Sequence, residues 1–208
     1  MANMTTQTTT APTDTAPTGL DPRPAFATAV ATARSVLAGV RPDQFDGSTP
    51  CPDFDVRTLA GHIVGVVARV AHVGTGGNFD DAPASAEGVV DADLLAAFDD
   101  RNAAYQQVWA DDAVLARLLT LPWAQMPGWV ALSIYVSEVS VHTWDLAVAT
   151  AQDVHWDDDV LRLALDAMQQ GLPAEGRDDP FIPFDPVVEV PADATVIDRL
   201  VAWNGRRP

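Results

Sequence analysis

Apolar residues recur along this chain mainly at helical spacing, and few stretches alternate in the manner of strands. From Pro24 to Val40 the positions Phe26, Val30, Val36 and Leu37 mark one helical face, which Gly39 and the Arg41–Pro42 pair bring to an end. Asp53 or Asp55 is placed to cap a second helix, Val56 to about Val73, with Leu59, Ile63, Val66 and Val70 as its core stripe. Asp91 or Asp93 opens a third, reaching about Ala110 with Leu94, Leu95, Phe98, Tyr105 and Trp109 on one side. Pro122 and Pro127 break the segment beyond Val114, and an extended piece is expected around Leu119 to Trp123. The longest element runs from about Pro127 to Thr150. Asp157 to Gln170 reads as a fifth helix closed by Gly171, and Ala194 to Trp203 as a short last one capped by Asp193. Four principal helices with long connections, and too few strand signals for a sheet, predict an all-α fold built as a four-helix bundle. Residues 1–21, rich in Thr, Ala and Pro, read as a disordered tail and not a signal peptide. Residues 22–171 then form the bundle, and 172–208 a C-terminal segment, extended across Pro180 to Pro191, that packs on it.

The central helix is apolar almost all round, which predicts burial. Within it, Ser137 to Asp145 places Glu138 and His142 four residues apart on one face, with Tyr135 and Asp145 one turn to either side. A carboxylate in that setting must be paired or metal-bound. Two accounts stand at this point: a buried Glu–His ion pair that fixes packing, or a metal or catalytic site. His62, beside the core stripe of the second helix, would alone be a satisfied core histidine. Taken with Glu138 and His142, it supplies an N,N,O set from facing helices, suited to zinc or another divalent ion with open positions left. Arg69, two turns beyond His62, reads as a solvated side chain at the helix edge, and His72 as a partner of the helix C-terminus.

Composition narrows the chemistry. The 208 residues carry a formal net charge of −17, which argues against nucleic acid and anionic membranes, and no apolar stretch reads as long enough, without polar breaks, to span a bilayer. Cys51 is the only cysteine, so no internal disulfide forms and a reducing, cytoplasmic setting is expected. No base neighbours it in sequence, and it precedes the second helix by enough residues to be badly placed as a ligand. Lysine is absent, which excludes Schiff-base and pyridoxal chemistry and a phosphate-loop lysine. Gly74 to Gly77 includes Gly-Thr-Gly-Gly, but it follows a helix and is no dinucleotide fingerprint.

Residues 50–65, Pro-Cys-Pro-Asp-Phe-Asp-Val-Arg-Thr-Leu-Ala-Gly-His-Ile-Val-Gly, closely resemble the first motif of the actinobacterial DinB-like metal-binding proteins. These belong with the mycothiol-dependent maleylpyruvate isomerase and mycothiol transferase group. Residues 137–152 look like the second motif, and the ending from Val190 to Pro208 is similar to the usual terminus. The resemblance implies a DinB-like four-helix bundle whose ligands map onto His62, Glu138 and His142. It also implies a zinc-dependent transferase or isomerase that joins a thiol, with mycothiol as cosubstrate, to an electrophilic small molecule. Asp145 could orient a ligand or handle a proton, and Tyr135 could donate a hydrogen bond; a surface carboxylate and a core phenol are the alternatives. A metal-dependent tailoring enzyme of secondary metabolism that uses no thiol, or a metal-containing binding protein without turnover, are the rival functions. A monomer or homodimer is expected. Ala151 departs from the family's usual Gly, Trp129 is bulky at the start of the central helix, and the C-terminal segment is shorter than the isomerases' C-terminal domain.

Overall fold

The computed structural model describes residues 21–122, 124–172, 174–177 and 184–208. The expectation for the tail therefore lies outside the described residues except at Asp21, which pairs with Arg23. The first part of the extended stretch expected from Pro180, residues 180–183, lies outside them as well. Seven helices appear among the described residues: α1 (Arg23–Ala38), α2 (Val56–Gly74), α3 (Leu94–Trp109), α4 (Ala113–Ala116), α5 (Gly128–Thr150), α6 (Asp158–Gly171) and α7 (Val196–Trp203). The fold is all-α, as the periodicity predicts. Helix α2 packs between α3 and α5, α1 lies against α5 and α3, and α6 and α7 close the remaining side of α5. One core results, built on Phe26, Leu59, Ile63, Phe98, Trp109, Leu132, Leu146, Leu161 and Leu200.

Local chemistry sets most boundaries. Asp55 caps α2, its carboxylate accepting from the Thr58 amide at 2.7 Å, and Asp157 caps α6 in the same way. Two expected caps are corrected. Thr195, not Asp193, caps α7, accepting from the Asp198 amide at 3.2 Å. Asp93 precedes α3 without a capping bond, because Asp91–Asp93 forms a turn of 3₁₀ helix in which Asp91 instead pairs with Arg57. The extended piece proves to be a hairpin, β1 (Leu118–Leu121) antiparallel to β2 (Ala124–Pro127); Trp123 lies outside the described residues. Only Leu119 and Leu121 of this hairpin are buried, which is too little alternation to announce two strands.

By length and composition α2 is apolar enough to cross a bilayer, contrary to the expectation from sequence. Its apolar surface is instead taken up by α3 and α5, against which its core stripe is buried. The Trp109 indole also donates to the Val70 carbonyl at 2.9 Å, tying α3 to α2.

Helix α5 ends at Ala151, which adopts a left-handed conformation with φ 52°. It is the one non-glycine residue with positive φ among the described residues. An L side chain in that region costs roughly 1–2 kcal/mol, which is why Gly usually occupies this position of a helix end. Ala151→Gly relieves that strain at some cost in unfolded-chain entropy. It should therefore stabilise the protein by about 0.5–1 kcal/mol, measured as an upward shift in the denaturation midpoint. A lowered midpoint would show that the methyl group contributes packing.

Candidate metal centre

His62 from α2 and Glu138 and His142 from α5 meet where the two helices face each other. The His62 Nε2 lies 3.2 Å from Glu138 Oε1, and the His142 Nε2 lies 3.5 Å from the same oxygen. The two imidazoles pack edge to face with ring centroids 4.8 Å apart. The three residues sequence reasoning selected are thus brought together, with one ligand atom from each within 4.8 Å of the others. Glu138 retains 31% of its side-chain exposure while both imidazoles are mostly covered, so the cluster is approached from the carboxylate side.

The second nitrogen of each ring fixes what the first can do. His62 Nδ1 lies 3.0 Å from the carbonyl oxygen of Ala84. A carbonyl only accepts, so Nδ1 carries the hydrogen and a neutral ring leaves its Nε2 lone pair toward Glu138. His142 Nδ1 lies 3.2 Å from Asp145 Oδ2 and donates to that carboxylate, which again directs the Nε2 lone pair inward. Two lone pairs and a carboxylate oxygen converge, and a cation is needed between them. A proton is one solution. Burial works against a charged His142, but Glu138 and Asp145 outweigh it and push the imidazole up to about 9. Burial likewise works to raise the Glu138 carboxyl, yet His142 and His62 hold it well below the usual carboxylate range. A divalent ion is the other solution, and the residues fit it. Tetrahedral bonds of about 2.1 Å place ligand atoms roughly 3.4 Å apart, close to the 3.2 and 3.5 Å between the two Nε2 atoms and the Glu138 oxygen.

Asp145 is neither on the surface nor free. Its side chain is fully buried, and Arg206 donates to it from Nη2 at 3.2 Å and from Nε at 3.4 Å. The surface-carboxylate alternative is therefore corrected: this α5 position faces the C-terminal segment. Arg206, contributed by residues just beyond α7, is a member of the site that the sequence did not announce.

Two further placements, Cys51 and Arg69, differ from expectation. Cys51 is buried, and its sulfur forms a second cluster with His142 and Asp145. The loop that carries it folds back over the site through bonds from Val56 N to Gly47 O, Phe54 N to Cys51 O and Thr49 Oγ1 to Phe54 O. The same loop lays Phe54 against His62, centroids 5.1 Å apart. Burial pushes the Cys51 thiol up, and the nearby Arg206 charge offsets this only in part, so the sulfur stays protonated at neutral pH. Arg69 is buried, not solvated: its guanidinium sits 4.4 Å from the centroid of Phe79, a residue of the loop after α2. Tyr135 is also buried, and burial raises its phenol well above the usual range. The Ala84 carbonyl reaches His62 because the 82–86 loop lies directly on α2, where Gly65 presents no side chain and the Gly61 carbonyl accepts from the Ala86 amide.

Known proteins bear on this arrangement at the level of family. The family model described as the mycothiol maleylpyruvate isomerase N-terminal domain matches residues 26–147, a span that includes all three converging side chains. Two uncharacterized proteins of Mycobacterium tuberculosis, from strains CDC 1551 and H37Rv, are each 31% identical to this chain over 189 residues. Each match covers 90% of this chain and 98% of the relative. No solved structure gives a significant match.

Proposed function

Because the chain belongs to the family of the mycothiol maleylpyruvate isomerase N-terminal domain, we propose that it holds a divalent metal, zinc for preference, through His62, Glu138 and His142. We further propose that it uses this centre to activate a thiol, mycothiol by family relationship, toward an electrophilic small molecule in a cytoplasmic transferase or isomerase reaction. The observation that carries the reading is the convergence of two Nε2 lone pairs on one Glu138 oxygen, with each Nδ1 committed elsewhere. An N,N,O set suits zinc better than magnesium or calcium, which prefer all-oxygen shells. When bound, the ion supplies Lewis acidity that lowers the pKa of a thiol or water ligand into the neutral range.

The protein's own groups divide the remaining work. Asp145 holds His142 in one tautomer and one orientation, and Arg206 holds Asp145, so both are positioning residues. Ala84 does the same for His62 through its carbonyl. Phe54 covers both imidazoles with hydrocarbon, which keeps water from competing for the site. Tyr135, one turn from Glu138, offers a hydroxyl to whatever enters.

Cobalt substitution tests the thiol step. Sulfur ligation to Co²⁺ produces a charge-transfer band that nitrogen and oxygen ligands do not. Mycothiol added to the cobalt protein should generate that band. Since Cys51 lies beside His142, the titration is also run on Cys51→Ala, which should respond equally. An unchanged spectrum at millimolar thiol would end the thiol-transfer reading and leave the metal-dependent tailoring enzyme as its successor.

A further inference from the structure

Two polar groups beside this centre are buried without any partner among the described residues: the Arg69 Nε and the Tyr135 hydroxyl. Both residues are more than nine-tenths buried, with 9% and 5% exposure. Each unmet donor of this kind costs about 1–3 kcal/mol, so leaving two in one neighbourhood calls for a reason. Among the described residues Arg69 has no ion pair either; its guanidinium rests on the face of Phe79, 4.4 Å from the ring centroid. An unpaired guanidinium is conspicuous in a chain with 29 acidic residues.

The two groups belong to one place. Arg69 follows His62 by seven residues, two turns along the same face of α2, and helical side chains lean back toward the N-terminus, here toward His62. Tyr135 precedes Glu138 by one turn on α5. The Arg69 charge is close enough to act on the Tyr135 phenol, as is that of Glu138. A planar guanidinium and a phenol that both donate, walled by an aromatic ring, match a carboxylate better than any neutral group.

We propose that Arg69 and Tyr135 form a carboxylate-binding subsite adjoining the His62–Glu138–His142 centre, so that the small molecule handled there carries a carboxylate a few bonds from the atom presented to the metal. This deepens the proposed function and rests on it for the identity of the reacting centre. Tyr135 and Arg69 then act together, one group of the substrate being fixed while another is placed beside Glu138.

The test uses ω-mercaptocarboxylates of increasing length, from mercaptoacetate to 4-mercaptobutyrate, against the matching mercaptoalcohols, each titrated into the cobalt-substituted full chain. At the best length the acid should bind about tenfold tighter than the alcohol, the equivalent of one charge-assisted hydrogen bond. Arg69→Gln should erase that advantage and leave the alcohol unaffected, and Tyr135→Phe should reduce it. Tyr135→Phe should at the same time raise the melting temperature of the ligand-free protein, since it removes an unsatisfied buried hydroxyl. A residue that merely fills the core would not show both effects. Equal binding of acid and alcohol to the unmodified chain overturns the subsite. Should no thiol generate the band, the thiol reading falls by itself, and glutarate decides the subsite separately. Its thermal stabilisation of the zinc-loaded chain, lost in Arg69→Gln, supports the subsite; a shift that persists in Arg69→Gln, or no shift at all, overturns it.

Discussion

Asp145→Ala is expected to destabilise the protein by about 3 kcal/mol and to weaken metal binding roughly 10–100-fold. The carboxylate it removes has no exposed surface and serves two donors at once. Without it Arg206, whose side chain is 15% exposed, keeps only the Asn204 carbonyl at 3.1 Å among the described residues, and its charge is left largely uncompensated. His142 Nδ1 loses its acceptor in the same step, and the ring is freed to turn. At roughly 2–4 °C per kcal/mol for a chain of this size, the melting temperature should fall by about 6–12 °C. Removing residues 204–208 takes Arg206 away and should reproduce much of the effect. A melting temperature within about 2 °C of the unmodified protein would mean that the Asp145–Arg206 pair contributes nothing net.

Gly65→Ala should damage the same centre from the opposite helix. A Cβ at residue 65 would stand 2.6 Å from the Ala84 carbonyl oxygen and 2.7 Å from Ser85 Cα, both backbone, so the loop must move. That loop carries the carbonyl that orients His62. Overpacking of this kind costs about 1–3 kcal/mol, and the better helix propensity of Ala returns at most about 1. Metal affinity should fall roughly tenfold or more as His62 loses its fixed orientation. Gly61→Ala is the control: a Cβ there meets only the Ala86 amide nitrogen, at 3.8 Å, which is ordinary contact. It should stabilise α2 by about 0.5–1 kcal/mol with no change in metal affinity. If the two substitutions behave alike in denaturation and zinc-competition assays, the loop is not what positions His62.

The helices and the Glu138–His142 pair were legible because both are local patterns. An apolar stripe every three or four residues, or a carboxylate and an imidazole one turn apart, lies within a single element. His62 was legible as an inward-facing residue, though only its meeting with α5 turned it from a core histidine into a candidate ligand. What supports these residues was not legible, because it comes from far along the chain or from backbone. Arg206 is 61 residues from Asp145, and a charged residue near a C-terminus ordinarily reads as solvated. Ala84 acts through its carbonyl, which no side chain advertises; the glycine at 65, inside a helix that would prefer alanine, is the available signal. The sequence separation of Cys51 from His62 suggests a distant sulfur, and the fold of the 47–56 loop makes that separation irrelevant. Arg69 looks exposed in the sequence because nothing in the periodicity of α2 shows that a loop phenylalanine covers it.

The metal centre is tested most directly by elemental analysis of the purified chain beside Glu138→Gln and His142→Ala. Glu138→Gln preserves shape while removing the charge on which both imidazoles converge, and His142→Ala removes a ligand outright. The unmodified protein should contain about one zinc or other divalent transition ion per chain, greatly depleted in Glu138→Gln and lost in His142→Ala. Full occupancy in both variants, or none in the unmodified protein after growth and purification with added zinc, would return His62, Glu138 and His142 to a proton-sharing cluster that holds α2 against α5.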